Sequence, residues 1–125
     1  MKNTILLLSA LLAGCSLLPS KFDSSVYDHL ITLSLDVDQA VPKCGTADEP
    51  SAVLAINRES KLLVKYTSYT STDLNKSVVL VDKAITEMAN AYSVGTPSPA
   101  YCKIKLEIID ADLKLILKAT GDKDK

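Results

Sequence analysis

The chain contains a single histidine, His29, and that count decides most questions of chemistry before any fold is considered. A site built from several imidazole ligands is excluded, and a Ser-His-Asp or Cys-His arrangement has only one candidate base. His29 lies beside the apolar seam of the first helical segment, a position read as surface or seam-flanking and not as catalytic. The acidic pairs Asp36/Asp38 and Asp110/Asp112 are each two residues apart. On a helix that spacing turns the side chains to different sides, away from a shared general acid–base site, so both pairs read as solvated helix faces. Asp110 and Lys114 stand in the favourable i, i+4 order, a surface pairing worth roughly 0.2–0.5 kcal/mol. Four glycines, one of them Gly14, are too few to build a phosphate-cradling loop. Lysines alternate with acidic residues and tryptophan is missing, so there is no basic groove interleaved with aromatics for a nucleic acid. The expectation is a protein that is not an enzyme, with no catalytic residues, metal site, small-molecule substrate or nucleic-acid partner.

The three cysteines, Cys15, Cys44 and Cys102, carry the remaining chemistry. Ahead of the first, Lys2 supplies a positive charge, residues 5–12 are almost continuously apolar, and the run stops at Leu12-Ala13-Gly14-Cys15. The apolar stretch is far short of the roughly 20 residues that cross a bilayer as a helix, so it reads as a cleaved export signal. Leu12-Ala13-Gly14-Cys15 resembles the lipobox of bacterial lipoprotein signals at every position. That resemblance implies transfer of diacylglycerol to the Cys15 thiol, cleavage between Gly14 and Cys15, and acylation of the new amino group. Small residues at Ala13 and Gly14 let the peptidase approach the backbone, and a thiolate is the nucleophile the transfer needs. Several acyl chains at about 0.8 kcal/mol per buried CH2 then hold the protein on a membrane, with no other cofactor. Ser16 follows the cysteine. In enteric bacteria the lipoprotein family sends chains with serine there to the outer membrane, where this one is expected on the periplasmic face.

Removing residues 1–14 leaves 111 of the 125 residues, a single-domain length with a net charge of −2 once Lys2 is gone. An exported chain matures in an oxidising compartment, where two remaining thiols pair, which predicts a Cys44–Cys102 disulfide. Closing that 58-residue loop stabilises the fold by roughly 4 kcal/mol on the chain-entropy model.

Residues 15–22 read as a lipidated tether. From Asp23, Ser24 and Ser25, all good N-cap types, Phe22, Val26, Leu30, Leu33, Val37 and Val41 recur at helical spacing, and the helix ends at Pro42. Asp48 and Pro50 mark a second helix start. Residues 51–64 are helix-compatible; residues 66–72 are read as a continuation, with an extended segment the alternative because Tyr66, Tyr69 and the threonines favour strands. Leu74, Val78, Val81, Ile85, Met88 and Tyr92 form a third seam, capped by Thr72 or Asp73 and stopped at Gly95 and Pro97. Ser98 and Pro99 open a fourth helix, in which Cys102, Leu106, Ile109, Leu113 and Ile116 repeat the pattern until Gly121. A second stripe of Ile104, Ile108 and Leu115 makes this the helix expected to be most buried. The fold class is therefore all-α: an up-down four-helix bundle over residues 23–121 with one disulfide, followed by a solvated tail, 122–125. If helix one runs outward from the membrane, Cys44 and the start of helix four share the distal end, so bundle and disulfide support each other.

Five tyrosines, Tyr27, Tyr66, Tyr69, Tyr92 and Tyr101, are the side chains most suggestive of contact, with Tyr66 and Tyr69 the candidate partner residues. The competing reading is rim-of-core rings with wet hydroxyls. The short lipobox signal, the compact size and the Leu17-Leu18-Pro19-Ser20-Lys21-Phe22-Asp23 entry resemble small phage-borne lipoproteins. Among them, outer-membrane spanin subunits contact an inner-membrane spanin subunit across the periplasm and help fuse the two membranes during host lysis. The helical pattern departs from the short, proline-rich form of many outer spanins. The layout is also similar to secretin pilotins, helical lipoproteins, often with one disulfide, that capture a secretin segment. That resemblance implies a hydrophobic groove left open between helices. A third class is the receptor-blocking or superinfection-exclusion lipoprotein, which occludes a porin-like protein from the periplasm.

Overall fold

A computed structural model of the chain describes residues 24–122; the lipobox with Cys15, the tether including Phe22, and residues 123–125 lie outside the described residues. Among the described residues there are four α-helices and no strand: α1, Ser24–Ala40; α2, Glu49–Thr70; α3, Thr72–Ala91; and α4, Pro99–Asp122. Short 3-10 turns, Val41–Lys43 and Tyr92–Val94, close α1 and α3. Cross-helix pairs run in opposite numerical order on the α1–α4 and α2–α3 faces, and His29–Tyr66 with Asp36–Glu59 do so between α1 and α2. Ser34 bonds Asp110 and Cys44 bonds Cys102 between α1 and α4; Ser60 bonds Asp82 and Asn75 bonds Thr67 between α2 and α3. Neighbouring helices are therefore antiparallel, giving the up-down-up-down bundle. In that square α1 packs on α2 and α4, α3 packs on α2 and most sparsely on α4, and α2 and α4 stand at opposite corners.

Each seam is buried where its periodicity places it. Val26, Leu30, Leu33 and Val37 of α1, Val78, Val81, Ile85 and Met88 of α3, and Cys102, Leu106, Ile109 and Leu113 of α4 form one core. Each large side chain in it removes enough apolar surface from water to contribute about 1.5–3 kcal/mol before ordering costs. α2 adds Val53, Ile56 and Leu63, but three positions of its stripe are polar, Glu49, Ser60 and Thr67. Ser60 donates to the Asp82 carboxylate (2.6 Å), and Thr67 donates to the Leu63 carbonyl (2.9 Å) while accepting from the Asn75 amide (3.0 Å). Those bonds let hydroxyls occupy core positions without stranded polar groups.

The segment with an extended alternative is helix through Thr70. Its hydroxyls bond back onto the preceding turn: Ser68 donates to the Lys65 carbonyl and Thr70 to that of Tyr66, which satisfies side chains that otherwise compete for the backbone. A single extended residue, Ser71, separates α2 from α3. It, and not Thr72 or Asp73, caps α3, its Oγ accepting from the Leu74 N–H. Ser98 caps α4 as expected, accepting from the Tyr101 N–H at 3.2 Å. α4 runs through Gly121, where the Tyr27 ring packs 3.5 Å from the place a Cβ would occupy; the positive-φ glycines are Gly45 and Gly95, in the loops. α4 is also not the most buried helix. Ile104, Ile108 and Leu115 are 56%, 52% and 68% exposed, because they lie opposite Cys102, Leu106, Ile109 and Leu113, on the outward side of α4, where Leu115 alone borders the furrow with α3.

Candidate functional site

At the distal end the 3-10 turn after α1 brings Cys44 to the first turn of α4, and the Cys44–Cys102 disulfide joins them with Cα atoms 5.7 Å apart. Gly45, with φ +86°, makes the turn that lets the chain pass against the Pro99 ring; a Cβ there would meet Pro99 at 3.2 Å. Beneath it Glu49 is buried, with Oε1 accepting from the Gly45 N–H at 3.3 Å. Burial, then the negative charge of Glu49, push the Tyr92 hydroxyl up to about 12. Cys44, Glu49 and Cys102 bring their ligand-type atoms within 4.8 Å of one another, but the two sulfurs are bonded together, which leaves one carboxylate and no metal-binding set.

The acidic pairs are placed less simply than solvated faces. Asp36 and Asp38 do turn to different sides of α1, but each meets an acid of a neighbouring helix. Asp38 faces α4, where Asp110 is buried, accepting from Ser34 Oγ (3.2 Å) and from Lys114 Nζ (2.6 Å). Desolvation and then Asp110 hold the Asp38 carboxyl above its usual range, opposed by Lys114. Asp110 thus belongs to a polar layer between α1 and α4, held by the i, i+4 pairing with Lys114. Asp112 alone of these four is simply exposed on the α4 face.

On the other side of α1, Asp36 faces Glu59 of α2, beside a cleft of about 410 Å³ lined by His29, Glu59, Leu62, Leu63 and Tyr66. From α1 the cleft is lined by His29, which is exposed beside the core seam; its ring tilts against Tyr66 with centroids 5.8 Å apart. Leu62, Tyr66 and Tyr69 sit at i, i+4 and i+7 on the outward side of α2, and Leu62 and Tyr69 are 67% and 79% exposed. The two sequence candidates, Tyr66 and Tyr69, therefore share one ridge, with Tyr66 as a wall of the cleft. Tyr27, Tyr92 and Tyr101 are half-buried and do not join them. Glu59 and Leu62 were not singled out by sequence reasoning, although Leu62-Tyr66-Tyr69 is readable as an outward stripe once the segment is known to be helical. A shallower furrow of about 320 Å³ between α3 and α4 is lined by Leu74, Ser77, Leu115 and Ile116.

Burial, and then the Asp36 carboxylate beside it, raise Glu59 from 4.5 to about 7. A raised acid binds its proton more tightly folded than unfolded. Its stabilising effect is complete below pH 4.5 and is lost as pH rises through 7. Glu59→Gln, a neutral mimic, is expected to match the wild type near pH 4.5 and to exceed it at pH 8. The gain is on the order of 1 kcal/mol, because Glu59 is only half-buried and solvent screens part of the effect. Denaturant unfolding at the two pH values measures it; equal stability at pH 8 contradicts a Glu59 carboxyl raised by burial and Asp36.

No protein family, characterised protein or solved structure matches the chain. Among the described residues no helix is long and apolar enough to cross a membrane.

Proposed function

We propose that the chain is a non-enzymatic, lipid-anchored envelope protein that holds an apolar helical segment of another envelope protein against the α1–α2 cleft. The observation that carries this reading is the cleft itself. It is an apolar hollow with a few convergent polar groups, His29, Glu59 and the Tyr66 hydroxyl, and it is continuous with the exposed Leu62 and Tyr69. Tyrosine beside a pocket is the usual composition of a binding hot spot, and a hollow of this size takes one or two bulky side chains from a partner's helix. An open groove is what the pilotin resemblance implies, so capture of a segment of an outer-membrane channel component is the favoured form. A spanin-like role assigns the same cleft to an inner-membrane subunit, and an exclusion role to a porin. Lipid on Cys15, implied by the lipobox, would place the bundle at the periplasmic face of the outer membrane, where each of these partners is within reach. Affinity capture of the full-length protein from crosslinked envelopes tests the reading: Leu62→Glu is expected to reduce recovery of the principal partner at least tenfold. Unchanged recovery would remove the cleft from the contact, and the partner's class separates the three roles.

A further inference from the structure

We infer that the outward side of α4 is a self-association seam, occupied by α4 of a second copy of this chain in antiparallel orientation. On that side Ile104, Ile108, Ala111 and Leu115 recur at steps of four, three and four, the spacing at which two helices pack side by side, and all four are exposed. The helix is already held rigid by its opposite, core-facing stripe, so docking here carries no cost of ordering a backbone. The charges along the edges of the stripe select the occupant. Lys105 and Asp112 flank one edge, Glu107 and Lys114 the other, and all are exposed, Lys114 also pairing with Asp110 at 2.6 Å and Asp38 at 3.9 Å in its own chain.

Placed antiparallel about a two-fold axis between residues 109 and 110, Ile108 packs against Ala111 of the second copy and Ile104 against its Leu115. The same register sets Glu107 opposite Lys114 of the second copy and Lys105 opposite its Asp112, each pair occurring twice by symmetry. A parallel pairing instead sets Glu107 against Asp112 on both edges, which is repulsive. The stripe is therefore self-complementary in one orientation only. Because α4 and α2 stand at opposite corners, the pair leaves both α1–α2 clefts open, and the inference does not depend on what fills them.

The test uses two differently tagged full-length copies expressed together, one carrying Ile104→Cys and the other Leu115→Cys, treated with a short bismaleimide. Native Cys44 and Cys102 are bonded to each other and do not react. In the antiparallel register, positions 104 and 115 of different copies meet, whereas position 104 lies about 16 Å along the axis from its own counterpart. The mixed covalent dimer is expected to exceed the dimer formed by either variant alone at least tenfold. Adding Lys105→Asp to both copies should reduce it severalfold, and combining Lys105→Asp with Asp112→Lys should restore it. No mixed dimer, equal dimers from position 104 alone, or yields indifferent to the charge changes would each overturn the inference.

Discussion

Replacing Cys44 and Cys102 together by alanine is expected to lower the melting temperature by roughly 15–30 °C. The bond closes a loop of 58 residues, which on the chain-entropy model removes enough freedom from the unfolded chain to stabilise the fold by about 4 kcal/mol. For a domain near one hundred residues, each kcal/mol moves the midpoint by about 4–8 °C. Alanine is the right replacement because Cys102 is fully buried, and a serine hydroxyl there would add a cost of its own. The structural consequence is local as well as global. The link fastens the loop after α1 to the first turn of α4 over the buried Glu49, so its loss should free the Gly45–Pro99 contact and admit water to Glu49. Thermal unfolding followed by circular dichroism measures the shift. Reducing agent added to the wild type should reproduce most of it; a change of only a few degrees in both experiments would contradict the role given to the bond.

Cys15→Ala is expected to have the second large effect, this time on placement and not on stability. If the thiol accepts diacylglycerol, its loss prevents both lipid transfer and the cleavage after Gly14 that follows it. Two or more acyl chains anchor a protein stably on a membrane, whereas an unlipidated chain has no such hold, so no gradual intermediate is expected. Intact-mass measurement of the wild type should find a chain beginning at Cys15 and heavier by its lipids. The variant should retain residues 1–14 and no lipid, and should be absent from the outer-membrane fraction. A variant processed and fractionated like the wild type would remove the lipid anchor from the account.

The helices and their pairing were legible because three of the four seams are unbroken. Val26-Leu30-Leu33-Val37, Val78-Val81-Ile85-Met88 and Cys102-Leu106-Ile109-Leu113 each keep helical spacing without a polar interruption, and all twelve are buried. The disulfide followed from the oxidising compartment that the signal-like N-terminus implies, with the up-down topology as a check. α2 was harder to read because its stripe includes Ser60 and Thr67, whose burial depends on Asp82 and Asn75 of α3, partners no local pattern reveals. Asp110 misled for a similar reason: i, i+4 spacing to Lys114 looks the same on a surface as beneath Ser34 of another helix. The second apolar stripe of α4 was visible as a pattern, but which of two opposite stripes the core takes depends on how many helices surround it. The cleft was only half legible. Tyr66 and Tyr69 stood out by type, Glu59 and Leu62 share their helix but carried no signal of their own, and His29 joins them through the α1–α2 crossing alone.

The central claim, that the α1–α2 cleft is where another envelope protein is held, is tested most directly by a photoreactive amino acid placed at Leu62 in the full-length protein in living cells. Val79, an exposed apolar residue on α3, serves as the control position. Illumination should join position 62, but not position 79, to one envelope protein in high yield, and Tyr66→Ala in the same chain should abolish that product while leaving the bundle folded. Equal labelling from both positions, or a product from position 62 that survives Tyr66→Ala, would contradict it.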